Sequence, residues 1–243
     1  MLPLGDQNEP WHGPALVTWA LIAVNIGVFL LLQGGGSEGA FTYGYSAIPL
    51  EITTGQDLLQ TQTVTFNGQQ FQIPQADGPE PIYLTLLTSM FMHGDWLHLG
   101  GNMLFLWIFG DNIEHRAGRL LYLVAYLGAG LVGSLAQIVS TPDSPIPTLG
   151  ASGAISGVLG AYIVLFPRNR VTAIIFRFIT QVPAIVAIGL WIAFQVVATL
   201  FSDPTIGGVA YWAHLGGFGA GVVAGLLFRA TPPRRPGRAA RAW

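Results

Sequence analysis

Charge and cysteine are what this sequence has least of. The chain of 243 residues contains no cysteine, which excludes disulfides and thiolate metal ligands and leaves the redox compartment open. Only 9% of its residues are charged, whereas a soluble domain carries about 25%. Apolar residues make up 51% of the chain, and the mean hydropathy is +0.54. The composition therefore excludes an ordinary soluble domain and predicts a membrane protein.

Lysine is also absent, so all 10 positive residues are arginines, and their positions predict the orientation of the chain. Six segments are apolar enough to cross a hydrocarbon core of ~30 Å, although the second contains Asp95 and His98. They are residues 15–33, about 95–110, 120–139, 144–167, 178–201 and 209–228. The arginines lie only between segments two and three, between four and five, and after six. Because cytoplasmic loops collect arginine, these regions and both termini are predicted to be cytoplasmic.

The sequence predicts an all-α membrane protein, a six-transmembrane-helix bundle in three parts. Residues 1–14 form an N-terminal cytoplasmic segment, residues 15–230 the membrane domain, and residues 231–243 a cytoplasmic tail rich in arginine and proline. Within the domain, residues 34–81 form an outer loop. Short interfacial helices are expected in its first part, and a hairpin around Asn67-Gly68. The apolar run 82–92 is too short to span and is predicted to be partly embedded.

Polar side chains inside the predicted spans mark a functional region, because the bilayer makes such groups costly. Four of them lie near the outer ends of spans two, four and six: His98, Asn102, Ser152 and His214. At 1.5 Å per residue, all four lie about 5–10 Å below the outer surface. The irregular segment 144–150 must then dip into the membrane to reach Ser152. Backbone is tolerated at that depth only where it is buried in protein or lines an aqueous cavity.

These residue types fit acyl transfer by a serine nucleophile. Ser152 needs a base to take its proton, and His214, the one histidine on the sixth span, can act as that base near neutral pH. As the first residue of a predicted helix, Ser152 also offers an unpaired backbone N–H to developing negative charge. His98 and Asn102 share one helix face and can donate hydrogen bonds to an oxyanion. Interhelical hydrogen bonding is the simpler alternative for these two residues.

No carboxylate is well placed as a third partner. Asp143 and Asp203 lie in predicted outer loops, and Asp95 is placed to cap the second span. The residues therefore predict a Ser-His dyad. Three histidines at one depth could suggest zinc, but the H-E-x-x-H spacing and a nearby carboxylate ligand are missing. We expect neither a metal nor another cofactor.

Glycines recur along the fourth and sixth spans at the spacing small-x-x-x-small. The positions are Gly153, Gly157 and Gly160 in one span and Gly217, Gly221 and Gly225 in the other. This spacing predicts close packing of the two helices. Such packing would bring Ser152 and His214 within reach of each other.

Three short motifs surround the polar residues. The second span contains the pattern H-x4-H-x3-N, from His93 through His98 to Asn102. The fourth begins with G-x-S-G at residues 150–153, and the sixth contains A-H-x-x-G-x-x-x-G at residues 213–221. In their order and in the span assigned to each, these motifs resemble the rhomboid family of intramembrane serine proteases. The resemblance covers roughly residues 15 to 230.

The resemblance implies a rhomboid-like bundle in which Ser152 is the nucleophile and His214 is its base. It also implies that His98, Asn102 and the backbone amide of Ser152 stabilise the oxyanion. A structural role near the site is implied for four further residues: His93, Gly150, Gly153 and Gly217.

Two positions depart from the family pattern. Many members carry Trp-Arg where this chain has Leu84-Thr85, so a loop anchor is missing. Some members carry an aromatic residue that stacks on the base, where this chain has Ser156. His214 is therefore expected to be held in another way, although neither change touches the reacting groups.

The resemblance implies an intramembrane serine endopeptidase that cuts single-span or other transmembrane proteins near the outer membrane face. A prokaryotic plasma membrane is the expected location, the lipid bilayer is a partner and no nucleic acid is involved. The sequence leaves the oligomeric state open. Two alternatives stay open: a catalytically silent rhomboid-like protein that binds membrane clients, and a small transporter. The transporter lacks support, since the sequence contains neither an internal repeat nor an intramembrane carboxylate.

Overall fold

The computed structural model describes residues 2–8, 13–66, 69–175, 177–202 and 208–231. These residues form a mostly helical bundle. Its helices are α1 (Leu16–Gly27), α2 (Ala40–Tyr45), α3 (Pro49–Thr54), α4 (Thr85–Thr88), α5 (Trp96–Ala117), α6 (Arg119–Ser140), α7 (Ser152–Leu165), α8 (Ala184–Phe201) and α9 (Tyr211–Ala230). The strands are β1 (Leu2–Asp6), β2 (Gln62–Phe66), β3 (Gln69–Ile73), β4 (Arg170–Ile175) and β5 (Phe178–Pro183). Asp203 and the tail from residue 232 lie outside the described residues.

Helices occupy each of the six predicted spans. Among the described helices, α6, α8 and α9 are long and apolar enough to cross a membrane. Shorter apolar helical segments cover Leu16–Leu32, where α1 continues as a π-helical turn, Ile82–Phe91 and Ser152–Leu165. Helix α5 starts where the second predicted span starts, but its 22 residues extend to Ala117, beyond the predicted end near residue 110. That all six cross a membrane stays a prediction.

The fifth predicted span begins too early. The sequence predicts a helix over residues 178–201, but α8 begins only at Ala184 because Phe178–Pro183 forms strand β5. Strands β4 and β5 are rich in β-branched residues, which favour extended backbone. Pro183 has no N–H to donate, so it suits the junction where the strand ends and the helix starts.

The expectation of an all-α fold is also wrong in detail, since the described residues contain two small antiparallel sheets. Strand β1, from the predicted N-terminal segment, pairs with β4, and β4 pairs with β5. Strands β2 and β3 form the predicted outer hairpin, with Gln62 opposite Ile73. The turn predicted at Asn67-Gly68 lies outside the described residues. Helices α2 and α3 confirm the short helices predicted in the first part of the outer loop.

Helix α7 lies at the centre of the bundle. Every residue from Gly153 to Tyr162 is buried. The helix packs most extensively against α9, with α6 and α5 also beside it. A helix that is buried all round must be apolar all round, which explains why α7 has no polar face.

Glycines let α7 and α9 touch through their backbones. A Cβ atom on Gly217 would lie 2.0 Å from the carbonyl oxygen of Gly153. A Cβ atom on Gly221 would lie 1.9 Å from the carbonyl oxygen of Gly157. These four residues form the glycine seam, and they confirm the close packing predicted from their spacing. Backbone atoms cannot move aside as a side chain can. The seam therefore fixes the position of α7 along the axis of α9.

A cluster of polar side chains lies at the end of the bundle remote from Ser152. The carboxylate of Asp6 accepts hydrogen bonds from the hydroxyl of Tyr162 and, at 2.8 Å, from Nδ2 of Asn112. Nδ2 of Asn169 donates to the backbone oxygen of Gln7 at 2.9 Å and to the Tyr162 hydroxyl at 3.3 Å. Burial raises the pKa of Asp6 to about 6. These residues, the Asp6 cluster, tie β1 to the helix ends.

Glu114 of α5 accepts hydrogen bonds from backbone N–H groups at the start of α1. Its Oε1 accepts from the backbone N–H of Val17 at 3.1 Å, and its Oε2 accepts from the N–H and the hydroxyl of Thr18 at 2.8 and 2.9 Å. The first N–H groups of a helix have no partner within the helix. A carboxylate there is also favoured by the helix dipole. Arg119 Nε lies 3.8 Å from the same carboxylate, which is 2% exposed.

Two acids, Glu51 and Asp57, accept hydrogen bonds at the base of the β2–β3 hairpin in the outer loop. Glu51 of α3 is 1% exposed and accepts from the N–H of Leu58 at 2.9 Å. Asp57 accepts from the N–H of Gly78 at 2.8 Å, so the two acids hold the chain on both sides of the hairpin. Burial, and less strongly the neighbouring Asp57, raise the pKa of Glu51 to about 7.

Candidate active site

Ser152 and His214 meet at neighbouring helix ends. Ser152 is the first residue of α7, and His214 lies in the first turn of α9. The distance from Ser152 Oγ to His214 Nε2 is 2.8 Å. The structure thus brings together the two residues that the sequence pairs, and the glycine seam holds the helices that carry them.

A third side chain, which the sequence analysis missed, contacts the other ring nitrogen of the histidine. Nδ1 of His214 lies 2.8 Å from Oε1 of Gln195 on α8. Gln195 is 5% exposed and is the only polar residue among the four buried residues of that helix. The sequence does contain a signal for it, because a glutamine inside an apolar span is costly unless it is bonded.

Aromatic rings also flank His214. The ring of Trp191 lies 5.9 Å away, and the ring of Tyr211 lies 6.3 Å away and perpendicular to it. Trp191 lies one turn before Gln195, so α8 supplies both contacts. Ser156, at the position where some family members carry an aromatic residue, donates to the backbone oxygen of Ser152 at 2.6 Å. His214 is therefore held in another way, as the departure at Ser156 predicts.

His98 faces the turn that precedes Ser152. Its Nδ1 accepts from the N–H of Gly94 at 3.3 Å, which places the ring proton on Nε2. A Cβ atom on Gly150 would lie 2.9 Å from His98 Nε2 and 3.6 Å from Ser152 Oγ. Gly150 also has a φ of +132°, which side chains disfavour. Glycine is thus required at this position, and it lets His98 present its N–H close to Ser152.

Asn102 lies one turn below His98 on α5. It is 8% exposed, and its Nδ2 has no hydrogen-bond partner within the described part of the chain. His98, Asn102, Ser152 and His214 all line one cavity of about 1130 Å³. A buried donor that lacks a protein partner and lines a cavity can bond to an acceptor placed there.

His93 is fully buried beside His98. Its backbone N–H donates to Oε1 of Gln33, and its carbonyl oxygen accepts from Nε2 of Gln33, both at 2.9 Å. Its ring packs edge-on against that of His98 at 5.1 Å. These contacts suit a residue that supports the loop and His98. Gln33 is a second partner that the sequence analysis missed.

The segment before Ser152 is irregular, as predicted, and backbone hydrogen bonds fix it. Ala47 and Thr148 exchange two of these bonds, at 3.0 and 2.8 Å. The N–H of Gly150 donates to the carbonyl oxygen of Ser89 at 2.9 Å. The segment around Ser89 is tied in turn, because the hydroxyl of Thr88 donates to the carbonyl oxygen of Tyr45 at 2.7 Å. These bonds hold the region despite the missing Trp-Arg pair.

The Asp95 carboxylate bonds to backbone and not to the His214 ring. Asp95 Oδ1 accepts from the backbone N–H of His98 at 2.8 Å, so it caps α5 as predicted. Among the described residues, the hydrogen bonds of the His214 ring go to Ser152 and Gln195 and not to a carboxylate.

Comparisons with known proteins agree with these motifs. A family model described as the Rhomboid domain matches residues 81–231. Rhomboid protein 1, mitochondrial, of Saccharomyces cerevisiae is 34% identical over 149 residues, which is 58% of this chain and 41% of that protein. Rhomboid protease GluP of Bacillus subtilis is 32% identical over 217 residues, 88% of this chain and 36% of that protein. The human presenilin-associated rhomboid-like protein, mitochondrial, is 29% identical over 140 residues, 54% of this chain and 34% of that protein.

The chain spans less than half the length of each of these relatives. Mitochondrial proteins are among them, so the expected prokaryotic plasma membrane gains no support. The apolar helices and the relatives together identify a membrane protein. The matched domain and the similarity to the Bacillus subtilis protease show that this chain belongs to the rhomboid family.

Proposed function

We propose that this protein is an intramembrane serine endopeptidase that cuts transmembrane proteins with a Ser-His pair. The observation that carries the proposal is the contact of 2.8 Å between Ser152 Oγ and His214 Nε2 at a cavity wall. The membrane domain is residues 15–230, with six spans and both termini cytoplasmic, as the arginine distribution favours. A catalytically silent rhomboid-like protein is the alternative.

The reaction follows from the positions of the polar atoms. His214 Nε2 takes the Ser152 proton while Oγ bonds to the carbonyl carbon of the substrate. The carbonyl oxygen becomes an oxyanion, which the Ser152 N–H, His98 Nε2–H and Asn102 Nδ2–H stabilise. The C–N bond then breaks, and His214 gives its proton to the leaving amine. Water hydrolyses the resulting ester by the same steps, which releases the second product and restores Ser152.

A fluorophosphonate probe tests the proposal, because only an activated serine should label. The wild-type protein in liposomes should label and should cleave at least one member of a panel of single-span substrates. Ser152→Ala and His214→Ala should each abolish cleavage, with folding nearly intact. Cleavage by purified Ser152→Ala protein, free of host protease, would disprove the assignment. A folded wild-type protein that neither labels nor cleaves would favour the silent alternative.

We propose further that cleavage occurs near the outer face, in a segment with small or helix-breaking residues. The predicted depth of the site, about 5–10 Å below that face, supports this. A peptide bond in a helix is enclosed and hydrogen-bonded, so local unwinding must precede attack, and glycine or proline makes it easier. Mass spectrometry of products from a substrate of known orientation locates the cut. Cuts at the cytoplasmic boundary would overturn the depth argument or the topology.

A variant substrate tests the unwinding step separately. Its glycine and proline residues near the cut are replaced by leucine, which stabilises the helix. Slower cleavage of this variant is expected. Undiminished cleavage would show that unwinding does not limit the reaction.

A further inference from the structure

Gln195 is a buried polar side chain of α8, and its amide oxygen contacts the proposed base. The other buried residues of α8 are Ala184, Ala187 and Ile188, and most of the rest of the helix is exposed apolar surface. An amide in such a setting costs free energy unless it is bonded. Its bond goes to His214 Nδ1 at 2.8 Å, so the polar group has a defined partner.

The direction of this bond determines which nitrogen of His214 can act as a base. An amide oxygen can only accept, so His214 Nδ1 must carry the ring proton. Nε2 then has a free lone pair, and it lies 2.8 Å from Ser152 Oγ. That is the tautomer able to take the serine proton. The opposite tautomer would present an N–H to Ser152 and could not act as a base.

We propose that Gln195 is a positioning residue that holds His214 in the tautomer and orientation that accept the Ser152 proton. The active group is then a Ser-His-Gln arrangement, in which a neutral amide occupies the place that a carboxylate takes in serine hydrolases. This inference rests on the proposed function. It adds a third side chain to the predicted Ser-His dyad, and that side chain is an amide and not a carboxylate.

The packing of α8 gives the proposal a structural consequence. Helices α7 and α9 meet through the glycine seam, whereas α8 packs lightly against α9 and hardly at all against α7. Trp191 and Gln195 lie one turn apart on α8 and face His214 together. Helix α8 therefore supplies the contacts that orient the base, whereas the nucleophile lies on α7, which α8 hardly touches.

The test measures fluorophosphonate labelling of the full chain in liposomes between pH 5 and 9. Gln195→Met has similar length but no acceptor, and it should lower the maximal labelling rate constant about 10- to 100-fold. Probe affinity should stay nearly unchanged, since methionine keeps the length of the side chain at this position of the cavity wall. The matched control is Gln181→Met, the same change at an exposed position on β5, which should label like the wild type.

Gln195→Glu provides the second arm, because it keeps the acceptor and adds a charge. A carboxylate stabilises the imidazolium. The variant should therefore recover most of the rate, and the acid limb of its pH profile should move to higher pH. Wild-type labelling by Gln195→Met would overturn the inference. If Gln195→Met fails to fold, an unchanged acid limb in Gln195→Glu would overturn it instead.

A parallel sample of Ser152→Ala separates this inference from the proposed function. If Ser152→Ala still cleaves substrate, the proposed function fails as a whole. If Ser152→Ala is inactive while Gln195→Met is as fast as the wild type, only the role of Gln195 fails.

Discussion

The two ends of the bundle use polar residues in opposite ways. At the end remote from Ser152, the residues of the Asp6 cluster bond to one another across β1, α5, α7 and the turn between α7 and β4. At the Ser152 end, the buried Nδ2 of Asn102 has no hydrogen-bond partner among the residues that the structure describes, and His98 directs an N–H toward a cavity. The first arrangement stabilises the fold, since buried polar groups are normally paired.

This contrast indicates how to recognise function in an apolar protein. A mutually satisfied polar cluster should affect stability when it is altered, and should leave chemistry almost unchanged. Substitution of a donor that has no protein partner should slow the reaction and leave the stability almost unchanged. Three substitutions test this separation, and a fourth tests the pH dependence of stability.

The largest effect is expected from the glycine seam, which connects the two ends. Gly221→Leu places a side chain against the carbonyl oxygen of Gly157, where even a Cβ atom would lie at 1.9 Å. Because only backbone faces it, α7 and α9 must separate, which should abolish labelling of Ser152 and lower thermal stability. Overpacking of this kind costs about 1–3 kcal/mol or more. The control is Gly219→Leu, where a Cβ atom meets nothing within 4 Å. Equal behaviour of the two variants would contradict the role of the seam.

The next effect is expected from Asn102→Ala at the Ser152 end. Loss of an oxyanion donor typically lowers kcat about 10²- to 10³-fold and leaves KM nearly unchanged. Stability should not fall, because Nδ2 of Asn102 has no partner to lose within the described residues. Steady-state cleavage and a thermal melt measure both. An unchanged kcat with a raised KM would instead make Asn102 a substrate contact.

The reverse pattern is expected from Tyr162→Phe at the opposite end. This change removes the hydroxyl that donates to Asp6 and leaves the ring packing in place. The free energy of unfolding should fall by about 0.5–1.5 kcal/mol, while the labelling rate of Ser152 should stay within a factor of about three of the wild type. Tyr83→Phe, at a ring that is 53% exposed, is the control for losing a hydroxyl. A large loss of labelling would show that the ends are not separable.

The smallest effect concerns pH. Burial raises the pKa of Glu51 from 4.5 to about 7 and that of Asp6 from 3.8 to about 6. The folded state then binds more protons than the unfolded state, so stability falls as pH rises through these ranges. Between pH 6 and 7 the slope should come mainly from Glu51. Glu51→Gln should remove that part of the slope in thermal melts, while a persisting slope would assign it to other groups.

The sequence predicted most of what is periodic or motif-like. The helices on the six spans, the outer hairpin, the Asp95 cap and the glycine seam all follow from local spacing. The start of α8 could not be predicted, because neither strand β5 nor helix α8 contains a charged residue that would mark the boundary between them. Gln195 was missed for a different reason. Its partner lies 19 residues away, and only packing shows that the amide reaches His214 rather than lipid.

The contact between Glu114 and the start of α1 has a consequence for biosynthesis. The hydrogen-bond acceptor of the Val17 N–H lies 97 residues later in the chain. A ribosome adds roughly 5–20 residues per second, so α1 exists for several seconds before its acceptor has been translated. If α1 spans the membrane as predicted, its first turn must remain hydrated at the membrane surface during that interval, because unpaired N–H groups are costly in lipid. The hydrogen bonds that connect the start of α1 to Glu114 therefore form late, only after the end of α5 has been synthesised.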